Sequence, residues 1–148
     1  MNQVAVSKEW FQKVKPDPNQ QDIWKQTGEL LTNVKELLDE MKGHCVSSER
    51  SILNARRAIT TLSAFLESGG CKFMVKNDEA FLDSLCKMAH NLVGVGHTLH
   101  YDMVGAIAEN NRSNLSMFDK EGKPTLRPNG DVIKHANYSP PNLDPYIL

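Results

Sequence analysis

Two pairs of carboxylates in this chain stand one helical turn apart, Glu36 with Glu40 and Glu79 with Asp83. On a helix, residues at i and i+4 share a face. Each pair would therefore gather hard oxygen donors of the kind Mg²⁺ prefers. The competing reading, the usual fate of acids on helices, makes Glu29, Glu40 and Glu79 solvated surface charges. Cys86 and His90 repeat the i,i+4 spacing with softer donors, and His97 with His100 adds an i,i+3 pair, the ligand types of a zinc site. His90 and His97 are separated by about 10 Å of helical rise, too far for one ion to join all four. Arg112, Ser113, Asn114 and Ser116 offer donors suited to a phosphate or a nucleobase. The same residues could equally cap a helix and order the turn behind it. Trp24 shares a helical register with Thr27 and Leu31, which favours core packing over base stacking. Arg56-Arg57 reads as a solvated face, with docking of a partner as the alternative.

The elements that would position these groups are helical. Ser7 can cap a short helix carrying Trp10, Phe11 and Val14, which Pro16 and Pro18 end. Asn19 caps the clearest helix, with Ile23, Thr27, Leu30, Leu31, Val34, Leu37, Leu38 and Met41 at three- and four-residue steps and Gly43 as its stop. Ser47 or Ser48 opens a third helix, its inner face formed by Ile52, Ala55, Ile59, Leu62 and Phe65 or Leu66, closed by Gly69-Gly70. Asn77 or Asp78 caps a fourth, apolar over so much of its circumference that it is expected to be central. Gly94 and Gly96 would let a neighbouring backbone approach it closely. Asp102 caps a fifth helix ending near Glu109. Beyond Asn111 the helical period stops, and Asn129-Gly130 between Thr125-Leu126-Arg127 and Val132-Ile133-Lys134 predicts a hairpin. Ser139-Pro140-Pro141 and Pro145 leave the last ten residues extended, packed across another surface. The expectation is an all-α, four- to five-helix bundle in a single domain over 1–148, with a helical core of about 7–111 and an irregular tail over 112–148 holding a short hairpin.

At 148 residues, 40% hydrophobic and 24% charged, the composition is that of an ordinary globular protein. A formal charge of −1 argues against a nucleic-acid binder with a broad basic face. No leader and no apolar run of about 18 residues is apparent, so neither secretion nor a membrane span is expected. Cys45, Cys71 and Cys86 are odd in number and lack CxxC spacing. They fit reduced, partly buried thiols in a cytoplasm.

The order of motifs resembles the MazG-like all-α NTP pyrophosphohydrolases, in particular small bacteriophage MazG-like proteins. The resemblance runs from about Trp10 onward. It is carried by Gln26-Thr27-Gly28, Val34, Glu36-Leu37-Leu38-Asp39, Leu82-Asp83-Ser84-Leu85-Cys86, Val93-Gly94-Val95-Gly96-His97, Val104-Gly105-Ala106 and Asn111-Arg112-Ser113-Asn114. The family implies Mg²⁺-dependent cleavage of a nucleoside triphosphate to monophosphate and pyrophosphate. An EExxE helix faces an ExxD helix, and their carboxylates hold ions that neutralise the triphosphate and position water. A lysine in the later tail complements phosphate charge.

Carried over by position, that pattern breaks. The first two glutamates of EExxE fall on Thr32 and Asn33, and Glu36 keeps the third. The glutamate of ExxD falls on Ala80, and Asp83 keeps the aspartate. An acid frequent one turn later falls on Lys87, and the tail lysine falls on Met117. Hydroxyl and amide oxygens do not supply the negative charge that offsets a metal's desolvation. The resemblance thus implies a scaffold with an inactive Mg²⁺ site, acting as a nucleotide- or host-protein-binding regulatory factor in the cytoplasm, that of the host if phage-encoded. Glu36 and Asp83 are the residual metal positions, and Arg112, Ser113 and Asn114 the nucleotide contacts. The alternative is an active Mg²⁺-dependent (d)NTP pyrophosphohydrolase with Glu40 and Glu79 as substitute acids. A third reading is a purely structural homo-oligomer. The resemblance also implies a homodimer or higher assembly.

Overall fold

Five α-helices and one hairpin make up the regular structure of residues 2–148 in the computed structural model. They are α1 (Gln3–Val14), α2 (Gln20–Asp39), α3 (Val46–Glu67), α4 (Asp78–Thr98) and α5 (Met103–Leu115), then β1 (Thr125–Leu126), β2 (Val132–Ile133) and a 3₁₀ turn over Asp144–Tyr146. The protein is all-α, with the expected tail hairpin. Among the described residues no helix is long and apolar enough to cross a membrane. The chain divides into two compact units, Pro18–Val75 and Met1–Asp17 with Lys76–Leu148.

The Pro18–Val75 unit is an antiparallel hairpin of α2 and α3. Asn19 starts α2 as predicted: its side chain accepts from Gln21 N–H and Asp22 N–H, while Asp22 accepts from Asn19 N–H at 2.9 Å. The stripe facing α3 is turned slightly from the predicted one. Trp24 and Gly28 are buried, whereas Ile23, Leu37 and Met41 are exposed. On α3 the covered positions are Ile52, Leu53, Arg56, Ile59, Ser63 and Leu66, with Ala55, Leu62 and Phe65 exposed. Apolar residues lie on both flanks of each stripe, so periodicity alone leaves the face uncertain by one position. Arg56 belongs to the covered face rather than to a wholly solvated one, and its Nη1 lies 3.2 Å from Asp39, which Lys35 also grips at 2.6 Å. Both cations hold the Asp39 carboxyl below its usual range, the Lys35 hydrogen bond most of all.

Two local signals act differently from their sequence reading. α2 ends at Asp39 without help from Gly43. Gly43 instead lies against the first turn of α3, where any Cβ would collide with the Glu49 backbone, and its N–H donates to Glu49 Oε2 at 2.6 Å. α3 starts earlier than expected because Cys45 is its N-cap, its N–H donating to Ser48 Oγ at 3.0 Å. Gly69 closes the helix in the left-handed region at φ 76°, as predicted. Trp24 is core, its Nε1–H donating to Phe73 O at 2.9 Å and its ring under Lys72.

In the other unit, α1 packs on α5. α1 begins at Gln3 because Asn2 caps it, accepting from Val4 N–H at 3.0 Å. Ser7 sits within the helix and donates to Gln3 O and Asn111 Oδ1. Asp102 caps α5 as predicted, accepting from Gly105 N–H, but the helix runs on to Leu115, six residues past Glu109, so the tail begins at Ser116 rather than at 112. The hairpin pairs Thr125 with Ile133 and Leu126 with Val132. Only Gly130 takes a positive φ, 85°, and Asn129 does not. Gly130 N–H donates to Arg127 O, closing a turn with Pro128 at its second position. The last residues are less extended than expected. Their 3₁₀ turn lays the Tyr146 ring where a Gly105 side chain would stand, and Tyr101 bridges Ile147.

α4 is the largest departure. Asn77 caps it as predicted, accepting from Ala80 N–H at 2.8 Å. Yet every residue from Lys76 to Val95 is exposed, so within its own unit the helix expected at the centre is not covered. Gly96 is buried against a side chain, that of Met103, rather than a backbone, and nothing approaches Gly94.

Candidate functional site

The residues singled out for nucleotide contact lie at the end of α5, and the structure turns most of them inward. Asn111 is buried. Its Nδ2 donates to Gln3 O at 3.1 Å and Gln3 Oε1 at 2.9 Å, and its Oδ1 accepts from Ser7 Oγ at 3.0 Å. Ser113 is 2% exposed. Asn114 accepts from Trp10 Nε1–H at 3.3 Å through its carbonyl. Asn111 through its side chain and Asn114 through its backbone carbonyl tie α1 to α5, a role different from the helix capping that the sequence offered as the alternative. Phe118, 1% exposed and stacked on Trp10 with 5.9 Å between ring centroids, completes the seam.

Arg112 alone of the four is exposed. Its Nε and Nη2 both donate to Glu109, at 2.7 Å each, and Nη2 also reaches Pro140 O at 3.1 Å. Glu109 in turn accepts from Asn142 N–H at 2.9 Å, and Ser116 Oγ accepts from Ser139 N–H at 2.9 Å. Glu109 and Arg112 thus form a clasp over residues 139–142. A phosphate approaching the guanidinium would meet a carboxylate that already matches its charge. That clasp is the feature sequence reasoning missed, although Glu109 and Arg112 stand at the i,i+3 spacing of a helical ion pair.

The fork of Arg112 holds the Glu109 carboxyl down at about 2, from an ordinary 4.5, with the Asn142 N–H as the second cause. A depressed carboxyl stabilises the fold fully above its ordinary value and loses that contribution as pH falls through the depressed one. Exchange of the Ser139 and Asn142 amides, the two N–H groups of this segment, is therefore expected to accelerate as pH drops from about 4.5 to about 2, beyond the intrinsic pH dependence seen in α5. Arg112→Ala should show the loosened tail already at pH 7. Equal protection in the variant and the parent would refute the clasp.

The carboxylates of the expected metal centre lie on α2 and α4, in different units. On α2, Glu36 and Glu40 are exposed, Thr32 gives its hydroxyl proton to Glu67 Oε1 at 2.6 Å, and Asn33 is exposed. On α4, Ala80 and Glu79 are exposed and Asp83 is paired with Lys87 one turn along. Met117 is half-buried. Within each unit the family positions offer one carboxylate, Glu36 on α2 and Asp83 on α4, too little negative charge by itself to fit a Mg²⁺ centre. Among the described residues no three His, Cys, Asp or Glu side chains gather closely enough to hold a metal ion.

The softer donors are likewise spread out. Cys86 and His90 lie exposed along α4, while His100 occupies the turn into α5 at φ 60°, its carbonyl accepting from Leu148 N–H. All three cysteines are free, and Cys45 and Cys86 are exposed rather than partly buried. The Cys45 thiol is lowered, first by its hydrogen bond with Ser48 and then by N–H groups at the start of α3. No protein-family model, curated protein or solved structure matches this chain.

Proposed function

We propose that this chain is a MazG-like helical scaffold released from catalysis, acting as a nucleotide- or protein-binding regulatory factor in a phage–host setting and assembled from more than one copy. The ordered set of motifs from Gln26-Thr27-Gly28 to Asn111-Arg112-Ser113-Asn114 suggests the scaffold. The observation that carries the loss of catalysis is the donor set. Asp83 is paired with Lys87, and Thr32, Asn33 and Ala80 stand where the resemblance places acids. Removing clustered carboxylates relieves repulsion and is tolerated once a site is no longer under selection for turnover. Protein is favoured over nucleotide as the ligand, because the Arg112 guanidinium is already matched by Glu109.

The test is a panel of (d)NTPs incubated with the purified chain and Mg²⁺ or Mn²⁺, followed by pyrophosphate release. No turnover is expected. Turnover abolished by Glu36→Gln or Asp83→Asn would overturn the reading in favour of an active Mg²⁺-dependent pyrophosphohydrolase. In the inactive case, Thr32→Glu, Asn33→Glu, Ala80→Glu and Met117→Lys together should create calorimetric Mg²⁺ binding. A folded quadruple variant that binds none would refute the positional correspondence with the family.

A further inference from the structure

Asn129 is the only asparagine of this chain that is followed by glycine. The backbone nitrogen after an asparagine can attack that asparagine's own Cγ. A side chain on the following residue hinders the approach, and glycine offers none. The fold leaves the approach open as well. Asn129 is exposed, and beyond the chain neighbours nothing among the described residues lies within 4 Å of where a Gly130 Cβ would stand. Asp131 N–H donates at 3.1 Å to Asn129 Oδ1, the oxygen on which negative charge gathers during the attack. One bond opposes it. Gly130 N–H donates to Arg127 O at 2.9 Å, so attack waits until that turn opens. The strands behind the turn are two residues each, and a hairpin so short opens readily.

We propose that Asn129 is a self-modification site whose deamidation opens the tail hairpin irreversibly. Gly130 N gives its proton to hydroxide and bonds to Asn129 Cγ. The Cγ–Nδ2 bond breaks, and the nitrogen leaves as ammonia with a proton from water, which regenerates the hydroxide. One water then opens the cyclic imide. Cleavage on the Cγ side gives aspartate, and cleavage on the main-chain side gives isoaspartate. Neither product fits the turn. Asn129 Nδ2 donates to Asp131 Oδ2 at 2.9 Å, and in aspartate an oxygen replaces that donor and faces a like charge. Isoaspartate routes the main chain through Cβ. It lengthens the loop that the Arg127 N–H bond to Asp131 O, 2.8 Å, now closes. The hairpin holds Thr125 Oγ1 at 2.9 Å from His135 Nε2, and His135 walls a cleft with Asp119, Lys120, Glu121 and Asn137. Opening the turn therefore loosens that wall.

The test uses the full chain, aged in mildly alkaline buffer, digested and mapped by mass spectrometry. Asn129 should convert about tenfold faster or more than the exposed Asn33, Asn54, Asn91 and Asn137, a barrier lower by about 1.4 kcal/mol. The product should be a mixture of aspartate and isoaspartate. Equal rates at the five positions would overturn the proposal. So would aspartate alone, because direct hydrolysis of the side chain makes no isoaspartate. Gly130→Ala should slow the conversion to the rate of the four reference asparagines, and an undiminished rate would refute attack by the Gly130 nitrogen. The opening is read as amide exchange at Arg127 and Gly130, several-fold faster in Asn129→Asp and in aged protein separated by its added charge. Adding Asp131→Asn to Asn129→Asp lets carboxylate and amide change places and should restore protection. Exchange in aged protein as slow as in fresh protein, or no restoration in the double variant, would overturn the proposal.

Discussion

Gly28→Val pushes α2 away from α3 and destabilises their hairpin by about 3 kcal/mol, the upper part of the usual cost of overpacking. A Cβ at position 28 would stand 2.7 Å from Glu67 Cγ and 3.0 Å from both Glu67 N and Ser63 O. The first of these neighbours is a flexible side chain that can swing aside. The other two are backbone atoms of α3, and they retreat only if the helices separate. Gly28→Ala sets two effects against each other. Alanine gains about 1 kcal/mol over glycine in a helix interior, while the backbone overlap costs about 2 kcal/mol, so a net loss of about 1 kcal/mol is expected. Denaturant unfolding followed through the fluorescence of Trp24, buried in the same hairpin, reads both variants. An alanine variant more stable than the parent would show that propensity wins and that α3 yields at this contact.

Gly28 also marks where sequence stops being informative. Its place in Gln26-Thr27-Gly28 singled it out, but only the structure shows that it admits the α3 backbone. The caps were legible: Asn19, Asn77 and Asp102 each have a short polar acceptor before an apolar period, and each starts its helix. α1 was misplaced because Ser7 satisfies the same rule as Asn2, and a residue type does not say which of two candidates caps. The helical faces were read one position off because Ile23, Leu37, Leu62 and Phe65 add apolar surface outside the covered stripes. α4 was read as central for its apolar circumference, a property that a core helix shares with one that its own unit leaves uncovered.

The candidate site was less legible than the fold, for a different reason. The Asn111 side chain could serve a ligand or another helix, and Asn114 meets α1 through a backbone carbonyl that its residue type does not announce. α1 is far away in sequence, and only its return to α5 makes those groups structural. The carboxylates Glu36, Glu40, Glu79 and Asp83 raise the same difficulty more sharply. Spacing puts each pair on one face of one helix, but a metal centre also needs the two faces brought together.

Phe118→Ala should detach α1 from α5 at a cost of about 3–5 kcal/mol, the range for truncating a buried aromatic. Three tethers hold this seam, and their magnitudes differ. Gln3 and Ser7 meet Asn111, Trp10 meets Asn114 and the Phe118 ring, and Lys13 lies 5.8 Å over that ring while donating to Gly122 O at 3.0 Å. A neutral hydrogen bond contributes about 0.5–1.5 kcal/mol net, and an exposed cation over an aromatic face about 0.5–1 kcal/mol. Phe118 is common to the second and third tethers and is the most buried large side chain among the described residues. Its loss leaves a cavity beneath Trp10 as well as removing both ring contacts. At 12 residues, α1 is at the lower limit of what holds a helix in water without packing. The variant should therefore lose α1 helicity, seen as reduced ellipticity at the helix band and as rapid amide exchange confined to residues 3–14. Lys13→Ala, by contrast, should cost about 1 kcal/mol and leave α1 protected. Equal costs for the two variants would place the weight of the seam on the lysine and its carbonyl rather than on the buried ring.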